Sequence, residues 1–529
     1  VLISVPHRQI IMNLEHPGSV TGIIPGAREI VLRGTKLVAV PHGVDEVRVL
    51  RNIGHRGVPA PINFYYDWPS SGKTPMSHQK ETAAFLTLHE RAYCLNEMGT
   101  CKTLSALWGA HYLKTIGMID AIVVVAPLST LERAWGDEIF SNFFDMTFTV
   151  LHGDMERRVK RIKKTADIYI INHDGVKTEA MTLCMTKHIV ERFGKDRVLF
   201  IVDELAAYRN ASSDRWQALN AIIQPCRWVW GMTGSPTPTD PTDAWAQCKL
   251  VTPWTVPKYY GRFRERVMRK ITNFKWVEKE DWLQTVRSVM QPAIRFARKE
   301  CIDLPPTTYR MAHVELTPEQ KRAYKSMLDK CKSEFDGREV LALNEGVKVQ
   351  KLVQIACGVV YDGENDDIQI PTGPRVSLAM ELIEQSSNKV ILFVPLRGAL
   401  DMIAAEVAKK YPVAIIHGGV SKVQRDAIFS AFMQSPDPWV LIAQPAAMAH
   451  GLTLTAANTI IWYAPPNSNE IYGQANARIV RPGQTENTFI IHIEGTSVER
   501  EAYRRLERQE RLQGALLDAI QRERQNVDA

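Results

Sequence analysis

What the chain most plainly lacks is cysteine at metal-ligand spacing. Its eight cysteines, Cys94, Cys101, Cys184, Cys226, Cys248, Cys301, Cys331 and Cys357, stand apart, with no CxxC pair among them. This removes the zinc ribbons and thioredoxin-type motifs and leaves no disulfide framework, so the chain reads as a reduced, cytosolic protein without structural zinc. No apolar run approaches the ~20 residues of a membrane-spanning helix. The opening residues, VLISVPHRQI, do not have the layout of a signal peptide. Low-complexity tracts and short-period repeats are also missing, which removes solenoids and disordered arrays.

What is present is 529 residues, 45% of them hydrophobic, with a net charge of +7. That length exceeds one ordinary core and predicts two to four domains. The mild positive charge permits a polyanionic partner without requiring one. Residues 1–74 alternate apolar and polar in short runs broken by Gly and Pro, as a small strand-rich domain would, and residues 67–72 read as its exit linker. From residue 75 to 250 short β-branched runs (121–126, 168–172, 199–202) alternate with helical patterns, the mark of a buried parallel sheet. Residues 251–310 are rich in Trp, Tyr, Arg and Lys with helical spacing and read as an insertion and linker. A second alternating series fills 311–500, with strands expected at 390–394, 413–417, 439–443, 459–462 and 489–493. Beyond it, 501–529 reads as an amphipathic helix in which Leu506, Leu512, Leu516, Leu517 and Ile520 stand among arginines.

Three stretches carry chemistry. NEMGTCKT, residues 96–103, follows an apolar stretch and precedes a helical pattern, as a phosphate loop does. Lys102 would reach phosphate oxygens and the Thr103 hydroxyl would hold Mg²⁺. LFIVDELAAYRN, residues 199–210, delivers Asp203 and Glu204 at the end of a strand, where an aspartate can hold Mg²⁺ and a glutamate can orient or deprotonate a water. QANARIVRPGQ, residues 474–484, has a spacing that predicts a helix carrying Arg478 and Arg481 one turn apart, closed by Pro482 and Gly483. Two guanidiniums on one face suit a polyphosphate. Each stretch alone has a plain reading as a turn or a solvated face; the three in this order define a nucleotide site.

With these residues in hand, the chain from about 76 to 500 resembles the Swi/Snf-type ATPases of the superfamily-two helicases and translocases. The resemblance runs through His78-Gln79, NEMGTCKT, VVVAPLSTLERAWGDEI (123–139), DELAAYRN, WGMTGSPTPT (230–239), LPPTTYRMAHVELTPEQKRAYKSM (304–327), HGLTLTAANTIIWY (450–463), QANARIVRPGQ and GTSVE (495–499). It implies an α/β fold of two RecA-like parallel-sheet lobes, with a helical insertion and the small N-terminal domain as a substrate-recognition module. It implies ATP held by Gln79, Met98, Gly99, Thr100, Cys101, Lys102, Thr103, Asp203 and Gly451, and Mg²⁺ held by Thr103 and Asp203. Lys102, Glu204, Arg478 and Arg481 would be catalytic, and Thr233, Ser235 and Gln474 would couple hydrolysis to motion. Nucleic-acid grips would be Ser129, Thr130, Arg209 and Asn210 in the first lobe and Arg425 and Thr453 in the second. Three features depart from the family pattern: Leu205-Ala206 after the acidic pair, a diluted small-residue pattern at 444–449, and Cys101 at a place usually held by glycine.

The resulting expectation is a monomeric ATP-dependent translocase on duplex or forked DNA, in a bacterial or phage-infected cytoplasm. The competing readings are a strand-separating helicase on DNA or RNA, and a nucleotide-regulated clamp with little turnover. Other basic stretches carry less: residues 157–164 read as a solvated helix face, and 258–264 read equally as base-stacking aromatics or as core aromatics beside surface arginines. His417 reads as structural, and the C-terminal helix as a brace on the second lobe.

Overall fold

The computed structural model describes residues 1–72, 74–272, 275–301, 304–335, 338–341, 345–361, 367–448 and 453–509. These fold into two compact units, residues 1–301 and 304–509. No helix among the described residues is long and apolar enough to cross a membrane.

Unit 1 opens with four antiparallel strands, β1 (Leu2–Ser4), β2 (Gln9–Met12), β3 (Arg28–Leu32) and β4 (Thr35–Pro41), in the order β1-β2-β4-β3. Its main sheet is wholly parallel. The strands are β5 (Arg91–Cys94), β6 (Ala121–Ala126), β7 (Phe148–Val150), β8 (Ile168–Asn172), β9 (Val198–Val202) and β10 (Trp228–Met232). A seventh, β13 (Ala293–Ile294), follows the hairpin β11 (Met268–Lys270) and β12 (Trp276–Glu278), and the sheet order is β13-β5-β10-β9-β6-β8-β7. Strands such as AIVVVA and VLFIV are buried along their whole length, because helices cover both faces of a parallel sheet and leave no side for polar residues.

The region expected as a helical insertion does contain helices, Tyr260–Val267 and Trp282–Val289, but it also forms the β11–β12 hairpin and returns as β13 to pair with β5. The N-terminal strands do not stand apart either. Ile10, Val38, Val40, Val47 and Leu50 share one apolar cluster with Leu86, Leu107 and Trp108 of the main lobe. The exit segment is pinned as well: Trp108 Nε1 donates to Pro69 O at 2.7 Å, and the Trp68 and Trp108 rings meet edge to face at 5.6 Å.

Unit 2 is built on a second parallel sheet, β14 (Thr307–His313), β19 (Lys389–Phe393), β20 (Val413–Ile416), β21 (Val440–Ala443), β22 (Ala457–Trp462) and β23 (Thr488–Glu494), in the order β14-β23-β22-β19-β21-β20. Between β14 and β19 lie two hairpins, β15 (Lys332–Phe335) with β16 (Arg338–Leu341) and β17 (Val359–Tyr361) with β18 (Asp367–Gln369). The period-two geometry of a strand sends alternate residues to opposite faces. Val390, Leu392 and Val394 accordingly pack with Leu382 and Leu400, while Ile391 and Phe393 pack with Phe432, Tyr472 and Tyr503. Tyr503 and Leu506 lie in the described part of the C-terminal helix and are buried in this second cluster, which makes that part a brace. Leu512, Leu516, Leu517 and Ile520 lie outside the described residues.

A fully buried ion pair ties unit 2 together. Arg375, on the helix Gly373–Glu384, sets Nη2 at 2.6 Å from Glu499 Oε1 and donates Nη1 to Tyr463 O at 2.6 Å. The other Glu499 oxygen accepts from Gly495 N at 2.9 Å and Thr496 Oγ1 at 3.1 Å. Burial opposes the Arg375 charge, and the facing carboxylate more than offsets it and raises its pKa. Breaking such a pair strands a charge in the core, which costs roughly 3–5 kcal/mol. Arg375→Met or Glu499→Gln is expected to lower the unfolding free energy of the protein by about that amount in urea titrations. The Arg375→Met/Glu499→Gln double variant is expected to lose less than the sum of the single variants; strict additivity would show that the pair is not coupled.

Candidate nucleotide site

Because all seven strands of the unit 1 sheet run the same way, the segments leaving β5, β9 and β10 emerge along one edge. The first is the NEMGTCKT loop, which ends at the fourteen-residue helix Lys102–Thr115. Gly99 has φ +86° and Cys101 has φ +58°. The left-handed region is free for glycine but strained for a side chain, which is the physical reason glycine suits position 101. The Cys101 side chain is exposed. Lys102 Nζ donates to the loop's own carbonyls, Asn96 O at 2.9 Å and Glu97 O at 3.2 Å.

The loop is clamped from three sides. His78 Nε2 donates to Thr100 O at 3.1 Å, and Asn96 Nδ2 donates to Thr82 Oγ1 at 2.9 Å, both from the helix Ser77–Thr87. Arg295, just after β13, places Nη2 2.9 Å from Glu97 Oε1, while the Arg298 N–H reaches Glu97 Oε2 at 2.7 Å. Burial pushes the Glu97 carboxyl up, but the Arg295 charge and these hydrogen bonds outweigh it and hold it below the usual range. On the third side a Cβ added at Gly234 would lie 3.3 Å from Met98 Cγ and 3.4 Å from Met98 N, so WGMTGSPTPT rests directly against the loop. There the buried Thr233 donates its N–H to Cys94 O at 3.1 Å and accepts the Ser235 N–H on Oγ1 at 3.1 Å.

Asp203 stands at the end of β9. Its Oδ2 accepts from Trp135 Nε1 at 3.1 Å and its Oδ1 from the Glu204 N–H at 3.0 Å. Desolvation raises its pKa in spite of these bonds and of the nearby Lys102 charge. Trp135 is buried within a π-helical turn, Leu131–Gly136, a geometry that recurs where a helix is bent to aim a side chain. Glu204 has φ +48°, so two of the strained left-handed residues of unit 1, Cys101 and Glu204, are candidate site residues. Lys102 and Thr103 open the fourteen-residue helix, and the Lys102 charge acts on Asp203 at the end of the neighbouring strand.

The remaining candidates are placed less uniformly. Gln79 is buried, and its Oε1 accepts the Met76 N–H at 3.0 Å. Ser129 is exposed, whereas Thr130 is buried and donates its hydroxyl to Pro127 O at 2.9 Å. Arg209 and Asn210 are exposed, with Asn210 Oδ1 accepting from Ser212 N and Oγ.

In unit 2 the expected arginine helix is corrected. The helix Asn469–Asn476 stops before both arginines, and Arg478 and Arg481 lie in the turns that follow. Arg478 O accepts from Leu454 N at 3.0 Å, Pro482 restricts the residue before it, and Gly483 has φ +97°. Gln484 staples this turn by donating Nε2 to Ala457 O at 2.9 Å and accepting the Thr485 and Glu486 N–H groups at 3.0 Å. Arg478 is buried and Arg481 half-buried. Gln474 is buried, with Nε2 on Glu470 Oε1 at 3.3 Å. Arg425 is half-buried and donates to Val420 O at 3.1 Å; Thr453 is exposed; Gly451 lies outside the described residues.

Trp135, Glu97, Gly234 and Arg295 were not singled out as site residues from the sequence. The first three lie in motif strings that pointed to the site, but Arg295 reaches Glu97 across the whole lobe and has no local signal.

Comparison with known proteins gives the family. Residues 78–359 match the SNF2-related domain and residues 375–483 the helicase conserved C-terminal domain. Protein p41 of Acyrthosiphon pisum secondary endosymbiont phage 1 is 23% identical over 85% of this chain and 99% of its own length. The uncharacterized ATP-dependent helicase MG018 of Mycoplasma genitalium is 22% identical over 75% of this chain, which spans 37% of that relative. The solved Sulfolobus solfataricus SWI2/SNF2 ATPase core in complex with dsDNA shares 20% identity over 84% of this chain and 93% of that one, with a TM-score of 0.41. The chain belongs to the SNF2-related family, as an ATPase core followed by a helicase C-terminal domain.

Proposed function

We propose that this chain is an ATP-dependent translocase on duplex or forked DNA, working in a bacterial or phage-infected cytoplasm. The observation that carries the nucleotide half of this reading is the clamped NEMGTCKT loop beside Asp203 on one sheet edge. A bound ATP–Mg²⁺ supplies the phosphoryl bond whose hydrolysis drives movement. Lys102 would turn from its two backbone carbonyls to the phosphate oxygens, Thr103 and Asp203 would hold the metal, and Met98, Gly99, Thr100 and Cys101 would line the phosphates. Gln79 completes the nucleotide contacts of unit 1. Glu204 orients the attacking water and takes its proton. Arg478 and Arg481 add positive charge opposite the transferring group, a contribution worth ~10³–10⁵ in rate in well-studied nucleotide hydrolases.

Thr233 and Ser235 rest against the phosphate loop and relay its state, with Gln474 as their counterpart in unit 2. DNA is gripped through its backbone phosphates by Ser129, Arg209, Asn210, Arg425 and Thr453. Thr130, whose hydroxyl is engaged within the fold, serves that grip by shaping the turn. The strained Cys101 favours a second reading, a nucleotide-regulated DNA clamp that turns over little.

ATPase assays with no nucleic acid and with duplex, forked and single-stranded DNA and RNA separate these readings. Stimulation by duplex or forked DNA is expected; stimulation by single-stranded DNA or RNA alone would favour a strand-separating helicase, and no stimulation by any of them would leave only the clamp. Lys102→Ala and Glu204→Gln are each expected to reduce turnover at least ~10²-fold; normal rates in both would show that the site is wrongly placed. Cys101→Gly relieves left-handed strain of about 1–2 kcal/mol, partly offset by the greater freedom of glycine in the unfolded chain. Urea denaturation is therefore expected to show unchanged or raised stability, and a clear loss would mean that the Cys101 side chain makes a contact worth more than the strain. Alkylation with iodoacetamide is expected to inhibit the ATPase, with protection by ATP–Mg²⁺ and resistance in Cys101→Ala; equal inhibition of that variant would place the sensitive thiol elsewhere.

A further inference from the structure

Unit 1 has a cavity that the nucleotide reading does not use. It has a volume of about 360 Å³ and is walled by Arg48, Arg51, Glu90, Arg91, Arg227 and Trp254, among others. Strand direction fixes its place. Arg91 opens β5, Arg227 immediately precedes β10, and Pro292, also in the wall, immediately precedes β13. These three strands are neighbours, so the cavity lies at their amino ends, on the edge opposite the NEMGTCKT loop, Asp203 and Thr233. Arg48 and Arg51 come from the N-terminal helix Val44–Asn52, and Trp254 follows the helix Asp243–Val251.

The lining holds four guanidiniums and one carboxylate, and Asp45 beside it adds a second, with Oδ1 3.0 Å from Arg48 Nη1 and 3.9 Å from Arg227 Nη2. Glu90 Oε1 is shared by Arg227 Nη2 at 2.7 Å and Arg48 Nη2 at 2.5 Å. Arg91 is held by neutral groups: Nη1 donates to Leu250 O and Val251 O, and Nη2 donates to Ile223 O and Cys226 O among its carbonyls. Arg51 donates Nε and Nη2 to Val58 O at 2.9 and 2.8 Å. Carbonyls fix Arg51 and Arg91 in place without cancelling their charge, so the cavity keeps a positive excess even though Glu90 and Asp45 offset Arg48 and Arg227.

Bracing the N-terminal helix accounts for the Arg48–Glu90–Arg227 cluster. It does not account for Trp254, which is 67% exposed at the same wall. An exposed indole beside arginines is the pairing that holds a base by stacking and its phosphate by charge. The volume limits the occupant. At the small end of the ~300–1,000 Å³ range of ligand pockets, the cavity admits one nucleotide unit and excludes a duplex.

We propose that this pocket holds the phosphorylated end of a nucleic-acid single strand, with the terminal phosphate among Arg48, Arg51 and Arg227 and the terminal base on the face of Trp254. The choice of ligand rests on the nucleic-acid reading above, and the site itself is separate from the nucleotide loop. It gives the N-terminal segment a function: Arg48 and Arg51 bring it into contact with a free strand end while the sheet's other edge carries out hydrolysis.

The test is equilibrium binding of fluorescent hexathymidylate to the full chain without ATP, as three probes: 5′-phosphorylated, 3′-phosphorylated and without a terminal phosphate. At least one phosphorylated probe is expected to bind more tightly than the unphosphorylated one. Trp254→Ala and Arg227→Gln are each expected to weaken that binding by about tenfold, the scale of one lost stacking or charge contact. Trp254 is exposed, so Trp254→Ala is expected to keep the wild-type denaturation curve and duplex-stimulated ATPase. A 5-iodouracil placed next to the terminal phosphate is expected to photocrosslink at Trp254.

Equal affinity for all three probes, wild-type binding in both variants, or a crosslink far from residue 254 would overturn the proposal. If inorganic phosphate competes as well as the oligonucleotide does, the pocket is a free-phosphate site and the proposal also falls. Loss of duplex-stimulated ATPase in the unaltered protein would instead count against the translocase reading and leave the binding result readable, because ATP takes no part in it.

Discussion

The parallel direction of the unit 1 sheet is the constraint from which the candidate site follows. Seven strands running one way bury both faces and send every strand's carboxyl end to a single edge. The phosphate-loop candidate, the acidic pair and the Thr233–Ser235 turn are separated by long stretches of sequence, yet they leave neighbouring strands β5, β9 and β10. The opposite edge receives what precedes those strands, which is how Arg91 and Arg227 come to wall a basic cavity. One sheet therefore presents two chemically different edges, and the helices covering its faces separate them.

Backbone strain and buried polar contacts do different work on the nucleotide edge. Cys101 and Glu204 occupy left-handed conformations that cost free energy, and the surrounding fold must supply it. It does so through contacts that hold the loop in one shape: the Arg295 pair on Glu97, the His78 bond to Thr100 and the contact of Gly234 on Met98. Trp135 acts on Asp203 in the same way, giving a desolvated carboxylate one directed donor. The segment ending in β13 brings Arg295 back beside β5, so the insertion is structurally part of the phosphate-loop wall.

Unit 2 shows how family-like strings can serve architecture. Of QANARIVRPGQ, the closing Gln484 spends its amide on backbone groups, and the turn it staples carries Arg478 and Arg481. Within GTSVE, Glu499 is consumed by Arg375 and two local donors. The helix predicted for the arginines fails because two tertiary claims and one local one override the spacing: Arg478 O is taken by Leu454, Trp462 Nε1 holds Asn476 Oδ1 at 2.9 Å, and the adjoining Pro482–Gly483 disfavours helix.

The α/β class, the strands expected at 121–126, 168–172, 199–202, 390–394, 413–417, 439–443, 459–462 and 489–493, and the loop, acidic and arginine strings were legible in the sequence, because continuous β-branched runs and closely spaced chemical groups are local signals. Even the anomaly at Cys101 was visible as a residue where glycine is usual. Its cause was not, since φ belongs to the folded backbone. Only the tertiary structure decided that residues 1–74 share a core with the first lobe, that β13 returns to its sheet, that Arg295 and Trp135 position the loop and Asp203, and that four arginines meet around Trp254. Each of these joins residues far apart in sequence, and their association depends on strand order and packing, which no local pattern encodes.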